Sequence, residues 1–181
     1  MASQNTIDGK HILTSINCSS FSGYRFKSGT DAPESYTSDT RESHIYFMKD
    51  NPDKADNSDI YVSKKINGIY QQPENMGMPL NTVRFRESNP FISEKEDYII
   101  YFSSDSTGLG EVDLYISFKK NGKWLQPKNL GAPINTSLAK CCPFYHEKEK
   151  RLYFSRQKKE ERRMYEDIYF INFNPHQYKN E

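Results

Sequence analysis

The chain repeats itself. The run Asp59-Ile-Tyr-Val-Ser to Asn81-Thr82 aligns without a gap on Asp113-Leu-Tyr-Ile-Ser to Asn135-Thr136, an offset of 113 − 59 = 54 residues. Identities fall at Asp59/Asp113, Tyr61/Tyr115, Asn67-Gly68/Asn121-Gly122, Pro73/Pro127, Gly77/Gly131 and Asn81-Thr82/Asn135-Thr136. Most other differences exchange one apolar residue for another, as Met76 for Leu130. A further step of 54 lands on Asp167-Ile-Tyr169, the opening of a third copy. A fixed period of this kind means one supersecondary unit that buries its faces only against neighbouring copies.

Within each unit, a Tyr-Phe run precedes the Asp-x-Tyr element: Ile45-Tyr-Phe-Met48, Ile100-Tyr-Phe-Ser103 and Leu152-Tyr-Phe-Ser155. Before that comes a proline-led segment, at Pro33, Asn89-Pro90 and Cys142-Pro143. Each unit thus reads as four short strands, with Asn-Gly, the strongest short hairpin signal, leading from the third into the fourth. No stretch carries a capped apolar period of 3.6 residues, and the charged segment 157–166 is expected to be a loop. The expectation is an all-β chain, a β-propeller of four-stranded antiparallel blades. Residues 1–181 form one domain, with blades at 33–82 and 88–136 and a partial blade at 142–175 that stops before its fourth strand. The length holds 181/54, about 3.4, copies. The N-terminal segment, 1–32, is therefore expected to complete the last blade with strands drawn from Lys10–Ile16 and Tyr24–Phe26. Failing that, the ring is open and self-association covers its edge.

Composition supports a packed sheet protein. Mean hydropathy is low, −0.90, but 13 Tyr and 11 Phe supply large, sheet-compatible area to bury. A formal charge of +1 excludes an electrostatic nucleic-acid footprint and a polybasic membrane patch. No apolar run is long enough for membrane insertion. Cys18, Cys141 and Cys142 are an odd set, expected to be reduced, and adjacent cysteines bridge only with strain. The first residues lack the basic and apolar regions of a secretory leader, so the chain is cytoplasmic or its leader has been removed.

The string Pro90-Phe-Ile-Ser…Tyr101-Phe-Ser-Ser-Asp…Asp113-Leu-Tyr-Ile-Ser…Asn121-Gly-Lys-Trp…Gln126-Pro-Lys-Asn-Leu-Gly-Ala-Pro-Ile-Asn-Thr136 resembles the WD40-like PD40 repeat of TolB-type β-propellers. The nearest counterparts are the arrays beside OmpA-like domains in bacterial envelope proteins. The resemblance spans 33–175, strongest over 89–136. It implies a bacterial periplasmic or envelope propeller that binds a protein or glycan partner without catalysis and without a cofactor. The family's Ser-x-Asp-Gly turn is absent: the corresponding turns read Ser38-Asp39-Thr-Arg, Ser93-Glu94-Lys-Glu and His146-Glu147-Lys-Glu.

Asp59, Asp113 and Asp167 recur at one phase of the unit, as architectural carboxylates do, and are expected to fix the turn into strand three. Tyr70 and Trp124 share a phase and are expected to pack between blades. In a propeller, the loops joining strands two and three and those joining blades emerge on one face, and loops on a rigid scaffold carry binding residues. That rule selects Asp50, Asn81, Arg86, Asp105, Asn135 and Arg156 as ligand-face candidates, with Asn81 and Asn135 also natural turn formers. Catalytic signatures are missing. Ser103-Ser-Asp105-Ser-Thr107 has Thr where an Asp-box needs Gly, no Gly-x-Ser-x-Gly occurs, and no carboxylate pair stands out. Cys141-Cys142-x-x-x-His146 has no recognised zinc spacing, so no metal site is expected. The rival to a binding scaffold is a small carbohydrate-active enzyme with two acids converging at the propeller mouth.

Overall fold

A computed structural model describes residues 4–7, 10–13, 37–40, 44–51, 58–160 and 163–179. The protein is all-β: antiparallel sheets, none closed on itself, and a single 3-10 turn at Pro175–Tyr178 among the described residues. In chain order the strands are β1 (Gln4–Ile7), β2 (Lys10–Leu13), β3 (Thr37–Asp39), β4 (Ile45–Asp50), β5 (Ser58–Ser63), β6 (Lys65–Ile66), β7 (Ile69–Tyr70) and β8 (Glu74–Asn75). They continue with β9 (Glu87–Ile92), β10 (Tyr98–Ser103), β11 (Asp113–Lys120), β12 (Lys123–Trp124), β13 (Lys128–Asn129), β14 (Ala139–His146), β15 (Arg151–Glu160) and β16 (Arg163–Asn172).

Three sheets follow the repeat. The first is β3-β4-β5-β8; the second is β9-β10-β11, whose far edge pairs with β12 and β13; the third is β14-β15-β16-β2-β1. In the third sheet, β2 pairs with β16 through Leu13↔Ile168, Ile12↔Tyr169 and His11↔Phe170. The fourth strand that the third copy lacks in sequence is thus supplied from the other end of the chain. Tyr24–Phe26, the other segment expected there, lies outside the described residues, as does the Pro33 segment.

Two expected strand boundaries shift. Asn67-Gly68 and Asn121-Gly122 hold left-handed backbone at both positions (φ 51 and 81, 53 and 76), the geometry of a tight primed hairpin turn. The returning strands β7 and β12, however, are two residues long, and Pro73 and Pro127, lacking an N–H, end them. The fourth strands of the first two sheets are β8 and β13, beyond those prolines. Likewise, strand one does not follow its proline: Pro90 and Pro143 sit inside β9 and β14, at bulges. The residues before them, Asn89 (φ 51) and Cys142 (φ 53), adopt the left-handed region.

The charged segment 157–166 is also corrected: its described residues, 157–160 and 163–166, are strand and not loop. β15 and β16 stay paired from Arg151↔Asn172 to Glu160↔Arg163, a ten-residue ribbon. A polar two-stranded ribbon, whose Lys158, Tyr165 and Glu166 are exposed, carries no apolar alternation, so polarity alone does not separate it from a loop.

The core sits in two layers between sheets. One packs Tyr46, Ile60, Val62 and Leu80 against Ile92, Ile99, Tyr101 and Tyr115. The other packs Ile100, Phe102, Leu114, Ile116 and Phe118 against Tyr145, Leu152, Phe154 and Phe173. The second sheet is covered on both faces, which is why Tyr98-Ile-Ile-Tyr-Phe is continuously apolar and buried. Register refines the repeat. Lys49, Ser103 and Arg156 each lie opposite the repeated Asp, so the Tyr-Phe run of the middle copy is displaced by one residue. A one-residue step reverses the face of a strand side chain. Tyr46 and Tyr101 therefore enter the same layer from opposite sides.

Candidate functional site

The six loop candidates divide into buried and exposed groups. Asn81 and Asn135 are interior brackets. Asn81 Oδ1 accepts the Ile60 N–H (2.8 Å) and its Nδ2 donates to the Ile60 carbonyl (2.8 Å) and to Asn75 Oδ1 (2.7 Å). Asn135 makes the same bonds to Leu114 (2.9 and 2.9 Å) and to Asn129 (2.7 Å). Each amide replaces a missing ladder partner, and both are buried, which removes them from any ligand surface. Arg156 is likewise buried. Its guanidinium donates to the carbonyls of Pro133 (2.5 Å) and Ile134 (3.1 Å) and lies over the rings of Tyr169 (4.5 Å) and Phe154 (5.3 Å). It pins the third sheet to the second, and burial holds it below its ordinary pKa.

Asp50, Arg86 and Asp105 remain on the surface. Asp50 ends β4 in solvent, while exposed Arg86 lies 5.3 Å over Phe102. Asp105 begins the loop from β10 to β11, where its Oδ1 accepts the Thr107 N–H (2.9 Å). With Thr107, Gly108, Leu109, Tyr115, Pro127, Asn129 and Gly131 it lines an open cleft of about 490 Å³. That volume is of small-ligand size. Polar groups from Asp105, Thr107 and Asn129 stand beside the apolar faces of Tyr115 and Pro127.

Beneath this edge lie the repeated aspartates. Asp113 is fully buried and accepts N–H bonds from Leu109 (2.5 Å) and Gly110 (3.3 Å), the Asn129 amide (3.3 Å) and the Lys140 ammonium (3.2 Å). Lys140, also fully buried, adds a bond to the Thr136 carbonyl. Burial pulls its pKa down and Asp113 opposes that pull. Gly108 and Gly110 are required here: a Cβ on Gly108 would lie 2.1 Å from Asp113 Oδ2, and one on Gly110 2.6 Å from the Thr136 carbonyl. Asp59, at the same phase, accepts from the amides of Asn51 (2.7 Å) and Asn75 (2.8 Å). Glu87 stands near it where the later copy has Lys140. Thr82 donates its N–H (3.1 Å) and hydroxyl (2.9 Å) to Glu87, as does Ser103 (3.2 Å). Burial, opposed by those bonds and reinforced by Asp59, raises Glu87 to about 7. Asp167 lies opposite Arg156 on the third sheet, half-buried. Trp124 packs on the first core layer under Lys119 (5.5 Å), and Tyr70 lies under Lys65 (5.3 Å).

A second cluster escaped the sequence reading. Sγ of Cys141, Sγ of Cys142 and a carboxylate oxygen of Glu166 all lie within 4.8 Å of one another. Cys141 Sγ is 2.9 Å from Ser155 Oγ and 3.4 Å from Glu166 Oε1. The Gln157 amide approaches it at 3.7 Å, and the Asn89 amide donates to Cys142 Sγ at 3.3 Å. The hydrogen bond from Cys142 lowers the pKa of the Cys141 thiol against the upward push of burial. Glu166 is 25 residues from Cys141, and only the β14-β15-β16 register joins them; linear spacing held no signal for it.

No family model and no curated protein matches the chain. Among the described residues, no helix is long and apolar enough to cross a membrane.

Proposed function

We propose that the chain is a propeller-type scaffold of the PD40/TolB kind, working in the bacterial envelope or periplasm, which binds a protein or glycan partner through the loop edge and performs no chemistry on it. The observation that carries the reading is the division of labour among the acidic and amide residues. Asp59, Asn75 and Asn81, and again Asp113, Asn129 and Asn135, are spent on bonds to one another within their own repeat, while the cleft beside Asn129 offers, among the described residues, one carboxylate, Asp105. Glycoside hydrolysis needs two carboxyl groups about 5–9.5 Å apart across the bond. One carboxylate with a hydroxyl and an aromatic face, above an amide already bonded within the sheet, instead suits recognition of a polar ligand such as a saccharide ring. Three side-by-side antiparallel sheets built on one repeat, the last completed by an N-terminal strand, support the propeller.

Titrating the 15N-labelled protein with bacterial envelope glycans tests this. Amide shifts should concentrate at 104–110 and 127–131, and Asp105→Ala should weaken binding at least about tenfold, a loss of about 1.4 kcal/mol. Shifts elsewhere would displace the site from the cleft, and cleavage of the glycan would transfer the protein to the enzyme reading.

A further inference from the structure

We propose that Cys141, Cys142 and Glu166 form a binding site for a thiophilic divalent cation, Zn2+ by preference, on strands β14 and β16 of the third sheet. This goes beyond the scaffold reading and does not depend on it.

Adjacent residues of a regular strand point to opposite faces, so a Cys-Cys pair in a strand cannot ordinarily chelate one ion. Here the bulge between Cys141 and Phe144, with Cys142 in the left-handed region, breaks the alternation and brings both sulfurs within reach of one carboxylate. The left-handed conformation disfavours a residue with a side chain, other than Asn or Asp. The equivalent bulge of the second sheet places Asn89 there, a residue that tolerates it; the third sheet places Cys142.

The side chains around the cluster differ from their register equivalents in the second sheet. Counting by register, Cys141 and Ser155 occupy the pair that is Ser88 and Phe102 in the second sheet, and Glu166 falls at 166 − 54 = 112, the place of Val112. Phe102 and Val112 are buried in the second core layer. Where the middle sheet presents an aromatic ring and an aliphatic side chain to its neighbour, the third presents a hydroxyl, two thiols and a carboxylate. A face meant only for packing would keep the apolar residues.

The donor chemistry selects the ion. Two thiolates and a carboxylate suit a borderline-soft d10 cation and not a hard one. With metal–sulfur bonds of about 2.3 Å, tetrahedral geometry needs sulfurs about 3.8 Å apart, so donors already within 4.8 Å need close by about an ångström at most. Ser155, Gln157 and Asn89 stand around the two sulfurs as an outer layer of polar groups. Glu166 is exposed and both cysteines are half-buried, so an ion can enter from solvent. Three protein donors leave a fourth position for water. On binding, the two thiol protons pass to the buffer and the carboxylate enters ionised.

The test uses the full chain carrying Cys18→Ser, so that every thiol belongs to the pair, with Co2+ as the probe and Zn2+ as competitor. One Co2+ per chain should bind with a sulfur-to-metal charge-transfer band that Zn2+ abolishes. Either Cys141→Ser or Cys142→Ser should reduce that band to half or less, and Glu166→Gln should weaken binding at least about tenfold, since ligand and supporting groups each carry such factors. Glu166 is exposed, so its variant keeps the test sound even if a cysteine variant misfolds. Absence of the band, its survival in both cysteine variants, or affinity unchanged by Glu166→Gln each overturns the proposal.

Discussion

The two junctions between sheets are built from the same repeat phase with opposite electrostatics. Between the second and third sheets, buried Asp113 faces buried Lys140 at 3.2 Å, and backbone N–H groups wrap the remaining carboxylate oxygen. Between the first and second, buried Asp59 has Glu87 near it, an acid where the other junction has a lysine. One junction answers with a counter-ion and a glycine loop that lets the backbone close on the carboxylate. The other answers by raising Glu87 to about 7 so that it holds its proton through mildly acidic conditions. A repeat therefore conserves geometry while leaving charge to each interface.

Removing one partner should separate the junctions most sharply. Lys140→Met strands the Asp113 carboxylate without its cation, and urea unfolding should show a loss of about 3–5 kcal/mol. An unchanged midpoint would mean that the N–H cradle alone satisfies Asp113. Next come the brackets common to both sides: Asn81→Ala and Asn135→Ala should each cost about 2–3 kcal/mol by orphaning a buried N–H and carbonyl. Equal losses would place the repeat's strength in its geometry; a clear inequality would assign it to the charge arrangement. Gly108→Ala should cost about 2 kcal/mol because its Cβ meets Asp113, whereas Asn51→Ala, which removes a donor to Asp59, should cost about 1 kcal/mol. A pH dependence of comparable size separates the junctions in a second way. Because the folded-state pKa of Glu87 lies above its unfolded value near 4.3, its contribution is full below that value and is lost as pH rises through 7. Glu87→Gln should flatten the stability profile between pH 5 and 8 by about 1–2 kcal/mol and be the more stable form at pH 8. A profile identical to that of the parent chain would remove Glu87 as its source.

The repeat made the all-β class legible because identical turn chemistry at Asn67-Gly68 and Asn121-Gly122 forces identical hairpins. It also marked Asp113 as architectural, whereas Asn135, a ligand-face candidate by its loop position, is a buried bracket on Leu114 and Asn129. What stayed hidden depended on register. The charged ribbon formed by 157–160 and 163–166 has no apolar alternation in its sequence to set it apart from a loop, and only the pairing reveals it. Arg156 sits at a loop-face position in the sequence pattern, but its burial arises from Pro133 and Ile134, in the turn between β13 and β14, which no local pattern reveals. Glu166 was invisible beside Cys141 because strand pairing, and not spacing, makes them neighbours.

The amino-acid order alone settled the unit, its period and its Asn-Gly turns, since these follow from local backbone preference. Only the folded chain decided how units meet. Which carboxylate gains a lysine, which keeps its proton and which pair of thiols finds a glutamate depend on side chains brought together from distant strands. Their energies come from desolvation and contact, which no single segment contains.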